Sequence, residues 1–446
     1  GLVVFGLGSA MSALSTSPGQ LIATRALMGV GGALIMPSTL SILTNVFPAH
    51  ERARAIGIWS GVAGVGVALG PIIGGFLLAH FWWGSTFIVN LPLVVIGLAA
   101  SWSLVPTSRD PARPRQDPVG ALLSIVGLAG LVYAIIDAPE RGWGSPEVLV
   151  WFGLAIVVLL SFALWEAHST HPMLDIRFFR NARFSASCVS ITLVLFALLG
   201  GTFLFTQYLQ FVLGYTPLQA GVRMLPLAAM LTCASLISTR LAERFGTKVV
   251  VAAGLLTVAL ALTLYMGFEV DSSYGDLVWR IMVMATGVGL VMAPATESIM
   301  GSLPRVKAGV GSAVNDATRQ VGGALGVAVI GSAMSSVYRP RMSGLLRGTG
   351  LPTDVAGHVT NSLGGALGVA AQIGGENGRL IARAAREAFV AGMRRGLVVS
   401  IVSAVAGAIV AAVYLPARPS GADVDAEWAA EVDASLAAAL EPSLTE

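Results

Sequence analysis

Acidic residues are rare inside the apolar stretches of this 446-residue chain, so each one is a candidate for proton chemistry. Asp316 is the deepest of them, seven residues into an apolar run that opens at Gly309, or ~10 Å along a helix. Arg319 and Gln320 follow three and four residues on, which puts all three on one helical face. A carboxyl group there can alternate between a protonated and a charged form, the step that exchange of a proton against a cargo requires. The same spacing also lets Asp316 and Arg319 form a neutral internal pair, and the two readings stay open together. Glu297, just after Pro294, lies near the end of its run and suits a gating or a solvated acid. Asp137 and Glu140 read as a solvated outer mouth.

Cargo chemistry is suggested by Phe203, Gln207 and Phe211, which recur every fourth residue, with Tyr208 and Gln210 beside them. Ring faces with adjustable amides suit planar lipophilic cations; ordinary helix packing is the alternative for each residue. Arg223 and Arg280, near the outer ends of their runs, read as interface anchors. Other chemistries find little support. His50, His80, His168, His171 and His358 are scattered, and Cys188 and Cys233 sit in separate apolar runs, so no metal site and no disulfide framework is expected. There is no Gly, four residues, Gly-Lys-Ser/Thr loop, so neither nucleotide nor other cofactor is expected.

The elements that must position these groups are set by the solvent. Hydrophobic residues make up 55% of the chain and charged ones 11%, with a mean hydropathy of +0.78, far from the roughly 25% charge of a soluble domain. The lipid bilayer is therefore the expected surroundings. The net charge of +3 does not point to nucleic acid, because the arginines cluster in short segments between apolar runs. Twelve runs reach the length that a bilayer needs, near 1–17, 19–47, 55–79, 84–105, 118–138, 147–165, 184–212, 217–239, 248–268, 277–300, 309–337 and 395–415. They lack the period-2 alternation of barrel strands, so the fold class is an all-α polytopic membrane protein.

Alternate short loops carry thirteen basic residues against one, Arg141, in the opposite set. That bias places the first set in the cytoplasm and the tail after Pro416 inside, in a cell (inner) membrane. The expected division is 1–105, two linker helices with their flanking loops in 106–183, a C-terminal six-helix bundle in 184–415 with an extracytoplasmic loop at 338–394, and an acidic tail, 416–446. Within that loop Arg379–Phe389 has the spacing of an amphipathic helix, suited to the membrane surface or to capping the bundle.

The run from Gly57 to Gly75 is rich in glycine, with Pro71 inside it. In water these residues weaken a helix, but in lipid small residues let helix backbones approach closely, and the proline favours a kink. A tightly packed structural helix would satisfy this composition. The spacing is more specific. Gly57, Gly66, Gly70, Pro71, Gly74 and Gly75 resemble the antiporter motif on the fifth helix of the major facilitator superfamily. Leu21-Ile-Ala-Thr-Arg-Ala-Leu-Met-Gly-Val-Gly-Gly-Ala33 is similar to its fourth-helix motif, with Arg25, Gly29, Gly31 and Gly32 in place. Trp82–Pro92 and Gly309–Gly326 resemble the sixth and thirteenth helices of its fourteen-helix drug:proton antiporter branch.

The resemblance implies a major-facilitator-type helix bundle and proton-coupled efflux of hydrophobic, cationic drugs by alternating access, with protons and a small molecule as partners. The motif's place on the third run instead of the fifth implies two further helices in front, so twelve of fourteen, and a chain lacking the first-helix acid and the loop motif after the second helix. Gly1 lies inside an apolar run without a basic leader, which does not read as a signal peptide. Arg25 becomes a fixed charge that tunes a carboxylate's proton affinity, or else an arginine snorkelling outward. Leu241-Ala-Glu-Arg-Phe-Gly-Thr-Lys248 echoes the family's loop motif, which makes Glu243 and Arg244 gating candidates alongside Glu297. Export of an endogenous metabolite, lipid or antibiotic fits the same motifs. A membrane enzyme or a non-transporting sensor would need a reactive cluster or a soluble output domain, and neither is visible.

Overall fold

The computed structural model describes residues 1–47, 49–105, 117–169, 172, 174–303, 307–346 and 353–416. All regular structure among them is helical. In chain order the helices are α1 (Leu2–Ala13), α2 (Pro18–Val46), α3 (Ala49–His80), α4 (Ser85–Ile88), α5 (Asn90–Leu104), α6 (Pro118–Arg141), α7 (Pro146–His168), α8 (Ala182–Gln207), α9 (Pro217–Arg223), α10 (Leu225–Phe245), α11 (Thr247–Tyr265), α12 (Tyr274–Met300), α13 (Ala308–Leu346), α14 (Thr353–Asn361), α15 (Leu363–Ile373) and α16 (Gly375–Tyr414).

Helix starts are written locally. Ser17-Pro18, Asp117-Pro118, Ser145-Pro146 and Thr216-Pro217 each put a capping oxygen before a proline in the first turn, where its missing N–H costs nothing. Thr216 and Gln219 complete a reciprocal capping box. At α6 the Asp117 carboxylate accepts from Gly120 N–H at 2.9 Å and from the Trp165 indole at 2.8 Å, tying α6 to α7. The Gly120 bond first, and the Trp165 bond with it, hold the Asp117 carboxyl below its ordinary value against partial desolvation.

Ten helices among the described residues are long and apolar enough to cross a membrane. α1 has 12 residues, ~18 Å of helix, and does not reach that length by itself. Two boundaries differ from the sequence reading. The run expected to end at 337 continues as helix to Leu346, and the one expected at 395–415 belongs to α16, which starts at Gly375. Segment 338–394 is therefore largely helical: it holds the end of α13, all of α14 and α15, and the first half of α16. In the Arg379–Phe389 stretch of that continuous helix Arg379 and Arg383 are exposed on one side and Ala385, Ala388 and Phe389 are buried on the other. Burial of that face against the bundle is what an isolated loop helix would lack.

Helices α8, α10 to α13 and α16 enclose one contiguous apolar core. Their backbones approach at small residues. A Cβ on Gly287 would lie 2.7 Å from Val258 N and 2.8 Å from the Gly254 carbonyl, so α11 and α12 touch almost backbone to backbone. One on Gly326 of α13 would collide with the Phe196 carbonyl of α8. Before residue 105 α1 and α2 also touch at glycines, since a Cβ on Gly31 would lie 2.5 Å from Phe5 N and one on Gly8 2.8 Å from Met28 N. Polar pins add to this: Ser9 donates to the Phe87 carbonyl at 2.8 Å, Asn90 donates to Ser9 at 3.0 Å, and Ser12 donates to Thr24 at 3.0 Å.

α3 leaves its neighbours in sequence and packs on α9, α10 and α12. Thr232 Oγ1 donates to the Gly61 carbonyl at 3.1 Å, and a Cβ on Gly57 would meet Thr239 at 3.0 Å. At the other end one on Gly75 would meet the Leu218 backbone at 3.0 Å. The glycine-rich face is thus a seam between the two parts of the protein. Gly66, Gly70 and Gly74 meet nothing within 4 Å, so only part of the motif lies in that seam. The Pro71 side chain lies outside the described residues, as do the side chains of Arg52 and Glu140 and the whole of 417–446.

Candidate transport site

α8 and α13 run side by side, and toward their C-terminal ends they open with α6 onto a cavity of about 750 Å³. Phe203 and Gln207 on α8 face Gln320 and Ser335 on α13 across it, with Ile136 of α6 on a third side. A smaller groove, about 400 Å³, continues from it past Phe203 and Gln207 to Phe211. Of the five residues named for cargo, Phe203, Gln207, Gln210 and Phe211 therefore line connected space.

Tyr208 does not. It is fully buried, donates its hydroxyl to the Glu269 carbonyl at 2.5 Å, and stacks on Phe268 with ring centroids 5.4 Å apart. Phe205 and Tyr265 complete a four-ring stack in the core. A five-residue π-helical turn, Tyr208–Val212, extends α8 here. The next-neighbour spacing of Gln207 and Tyr208 turns them about 100° apart on the helix, one to the cavity and one to the stack.

Asp316 sits four residues below Gln320 on α13. It is half-buried, and its Oδ2 is enclosed with no hydrogen-bond partner. Among the described residues it forms no direct ion pair with Arg319, although the two lie within electrostatic reach. Arg319 turns elsewhere: its Nη2 donates to Thr296 Oγ1 of α12 at 3.1 Å, and its guanidinium lies 5.0 Å from the Trp59 ring centre of α3. It joins three helices where the two parts of the protein meet. Leu40, Ile56, Met300 and Ala308 close that meeting point as a small apolar plug. Arg25 is not brought to Asp316. It is exposed, 6.0 Å from the Phe87 ring, and makes no ion pair among the described residues.

The gating candidates separate likewise. Glu243 is exposed, and Arg244 is exposed over the Phe245 ring at 5.4 Å. Glu297 is half-buried and faces Arg183 at 4.0 Å. Arg183 is the residue that sequence reasoning missed. By position Arg183 is one of the thirteen bases of the short loops, yet it is buried, donating to Ser298 Oγ at 3.1 Å and to the Gly301 carbonyl at 3.4 Å. The only local signal was Asn181, whose side chain accepts from Arg183 N–H and starts α8 there.

The model of the Major Facilitator Superfamily matches residues 1–327. The chain is 34% identical over 410 residues to the multidrug efflux pump LfrA of Mycolicibacterium smegmatis, covering 92% of this chain and 81% of that protein. It is 32% identical over 442 residues to the tetracenomycin C resistance and export protein of Streptomyces glaucescens, covering 98% and 82%. A bacterial homolog of the human lysosomal transporter Spinster, solved in an inward-facing and occupied conformation, shares the fold at a TM-score of 0.54 and 20% identity, over 92% of this chain and 80% of that one. The chain belongs to the major facilitator superfamily and is a multi-pass membrane transporter of small molecules.

Proposed function

We propose that this transporter exports hydrophobic compounds from the cell across the inner membrane in exchange for protons, by alternating access of its two parts. One observation carries the reading. Asp316 is an acid inside a membrane helix, its Oδ2 is enclosed without a partner, and one turn on, Gln320 lines the cavity of about 750 Å³. A carboxyl group so placed gains or loses a proton according to the side from which water reaches it, and Arg319 beside it senses the change. Held by Thr296 and Trp59, Arg319 ties α13 to α12 and α3; drawn to an ionised Asp316, it would loosen the seam. Glu297 and Arg183 act as a latch near the start of α8, with Glu243 and Arg244 on its rim.

Support for efflux comes from the relatives, an efflux pump and a resistance and export protein. The order of the glycine motifs supports membership of the fourteen-helix drug:proton branch, and the arginine bias supports a cytoplasmic C-terminus. Phe203, Gln207 and Phe211 hold the cargo. Arg25 supplies a fixed charge on the opposite part. The sequence expectation of a cationic cargo leaned on a row of ring faces, and Tyr208, the most electron-rich of them, is occupied by the core stack.

The test is Asp316→Asn in energised inverted vesicles, with efflux of a panel of hydrophobic compounds followed while the pH gradient is imposed and collapsed. Proton-driven movement should fall at least tenfold while exchange of cargo between the two sides persists. Unchanged proton-driven movement removes Asp316 from coupling.

A further inference from the structure

The cavity between α6, α8 and α13 is mostly apolar, and its polar groups are unevenly chosen. Among the described residues that line it there is no carboxylate, and the one charged side chain is Arg339 of α13. The Gln207, Gln320 and Asn361 side-chain amides make no hydrogen bond to the protein among the described residues, so each offers a donor and an acceptor to whatever enters. The Tyr338 hydroxyl and Ser362 are already spent, on the Val359 carbonyl at 3.1 Å and on Gly365 N–H at 3.0 Å. Asp316 lies one turn beneath, with Arg319 three residues on. When both are ionised, that pair adds no net charge to the Arg339 of the lining.

We infer that this cavity selects hydrophobic compounds that are uncharged or anionic, and discriminates against cations. This rests on the efflux reading for its biological use, but the binding preference stands on the cavity itself. A cation that leaves water must find a compensating charge or lose most of its solvation. Here it would find three amides and a like charge. An anion finds the Arg339 guanidinium and three amide N–H₂ groups, and a neutral molecule with carbonyl or hydroxyl groups finds both amide ends. The volume lies within the range of pockets that enclose drug-sized ligands.

Tetraphenylborate and tetraphenylphosphonium have nearly the same shape and differ in charge sign, so they isolate this property. Binding of each to the purified full chain in nanodiscs is measured by equilibrium dialysis, with Ser335→Trp, which fills the cavity, as the subtracted background. Saturable binding of the borate at least tenfold tighter than that of the phosphonium is expected. Arg339→Gln should reduce the ratio and Arg339→Glu reduce it further or reverse it; both change an exposed side chain and leave the helix packing intact. Equal or tighter phosphonium binding, or no saturable binding of either ion, overturns the assignment. Vesicle transport is scored separately: a borate preference without proton-driven movement of any compound defeats the efflux reading and leaves the cavity's selectivity standing.

Discussion

The helices before residue 105 and those after 182 are built from the same kind of sequence and are packed in opposite ways. In the most apolar 18 residues of Ser85–Leu104, 6% are buried within the protein; for Tyr274–Met300 the share is 56%. Hydropathy does not separate them, since the less buried stretch is the more apolar at 2.0 against 1.6. What differs is how many small residues find a facing backbone. In α11, α12 and α13 they do so at Gly254, Gly287, Gly322 and Gly326; before residue 105 this happens within the α1–α2 pair, at Gly8 and Gly31, while Gly29, Gly32, Gly66 and Gly70 meet nothing within 4 Å. The C-terminal bundle is a set of interlocked rods, and the earlier helices form one close pair and otherwise present apolar sides outward. α3 is the exception that links the two, because its glycines at 57, 61 and 75 lie against α9 and α10.

The sharpest way to break this contrast is to add volume where backbones meet. Gly326→Ala places a methyl group against the Phe196 carbonyl and should destabilise the protein by about 2 kcal/mol or more, seen as a lower unfolding temperature in detergent. Next comes the latch. Arg183→Met keeps the length of the side chain but removes its bonds to Ser298 and Gly301, and should cost about 1–3 kcal/mol by the same measurement. A smaller effect belongs to the α6–α7 hairpin. Asp117 has a carboxyl pKa below its ordinary 3.8 in the folded chain, so its stabilising contribution is present above that value and is lost as pH falls through the lowered one. Unfolding followed between pH 5 and pH 2 should show this loss in the unmodified chain and less of it in Asp117→Asn, which keeps a cap but cannot titrate. Gly66→Ala, in open space on α3, should lie within about 0.5 kcal/mol of zero. If it costs as much as Gly326→Ala, the distinction between the two regions fails.

The candidate site was legible in part, and the dividing line is physical. Asp316 stands out in a sequence because an acid in an apolar run is costly whatever surrounds it. Phe203 and Gln207 share the cavity because a spacing of four keeps them on one helical face. Tyr208 was grouped with them by proximity, but a neighbour in sequence is about 100° away on a helix, and that turn carries it into the four-ring stack. Arg183 looked like any loop arginine; its burial depends on Ser298 and Gly301, more than a hundred residues away. The Asp316 and Arg319 spacing allowed a pair, and the structure instead turns Arg319 toward Thr296 and Trp59.

From the residues alone come the membrane, the helical class, the capped helix starts, the family and the candidate acid. Each follows from local chemistry: transfer of side chains to lipid, backbone hydrogen bonds closed within one segment, and a proline tolerated after a capping oxygen. The tertiary structure decided which face of each rod meets protein. Lipid and protein core are equally apolar, so no hydrophobic stripe marks the buried side. Only the fit of one backbone into another, as at Gly254 with Gly287, selects it.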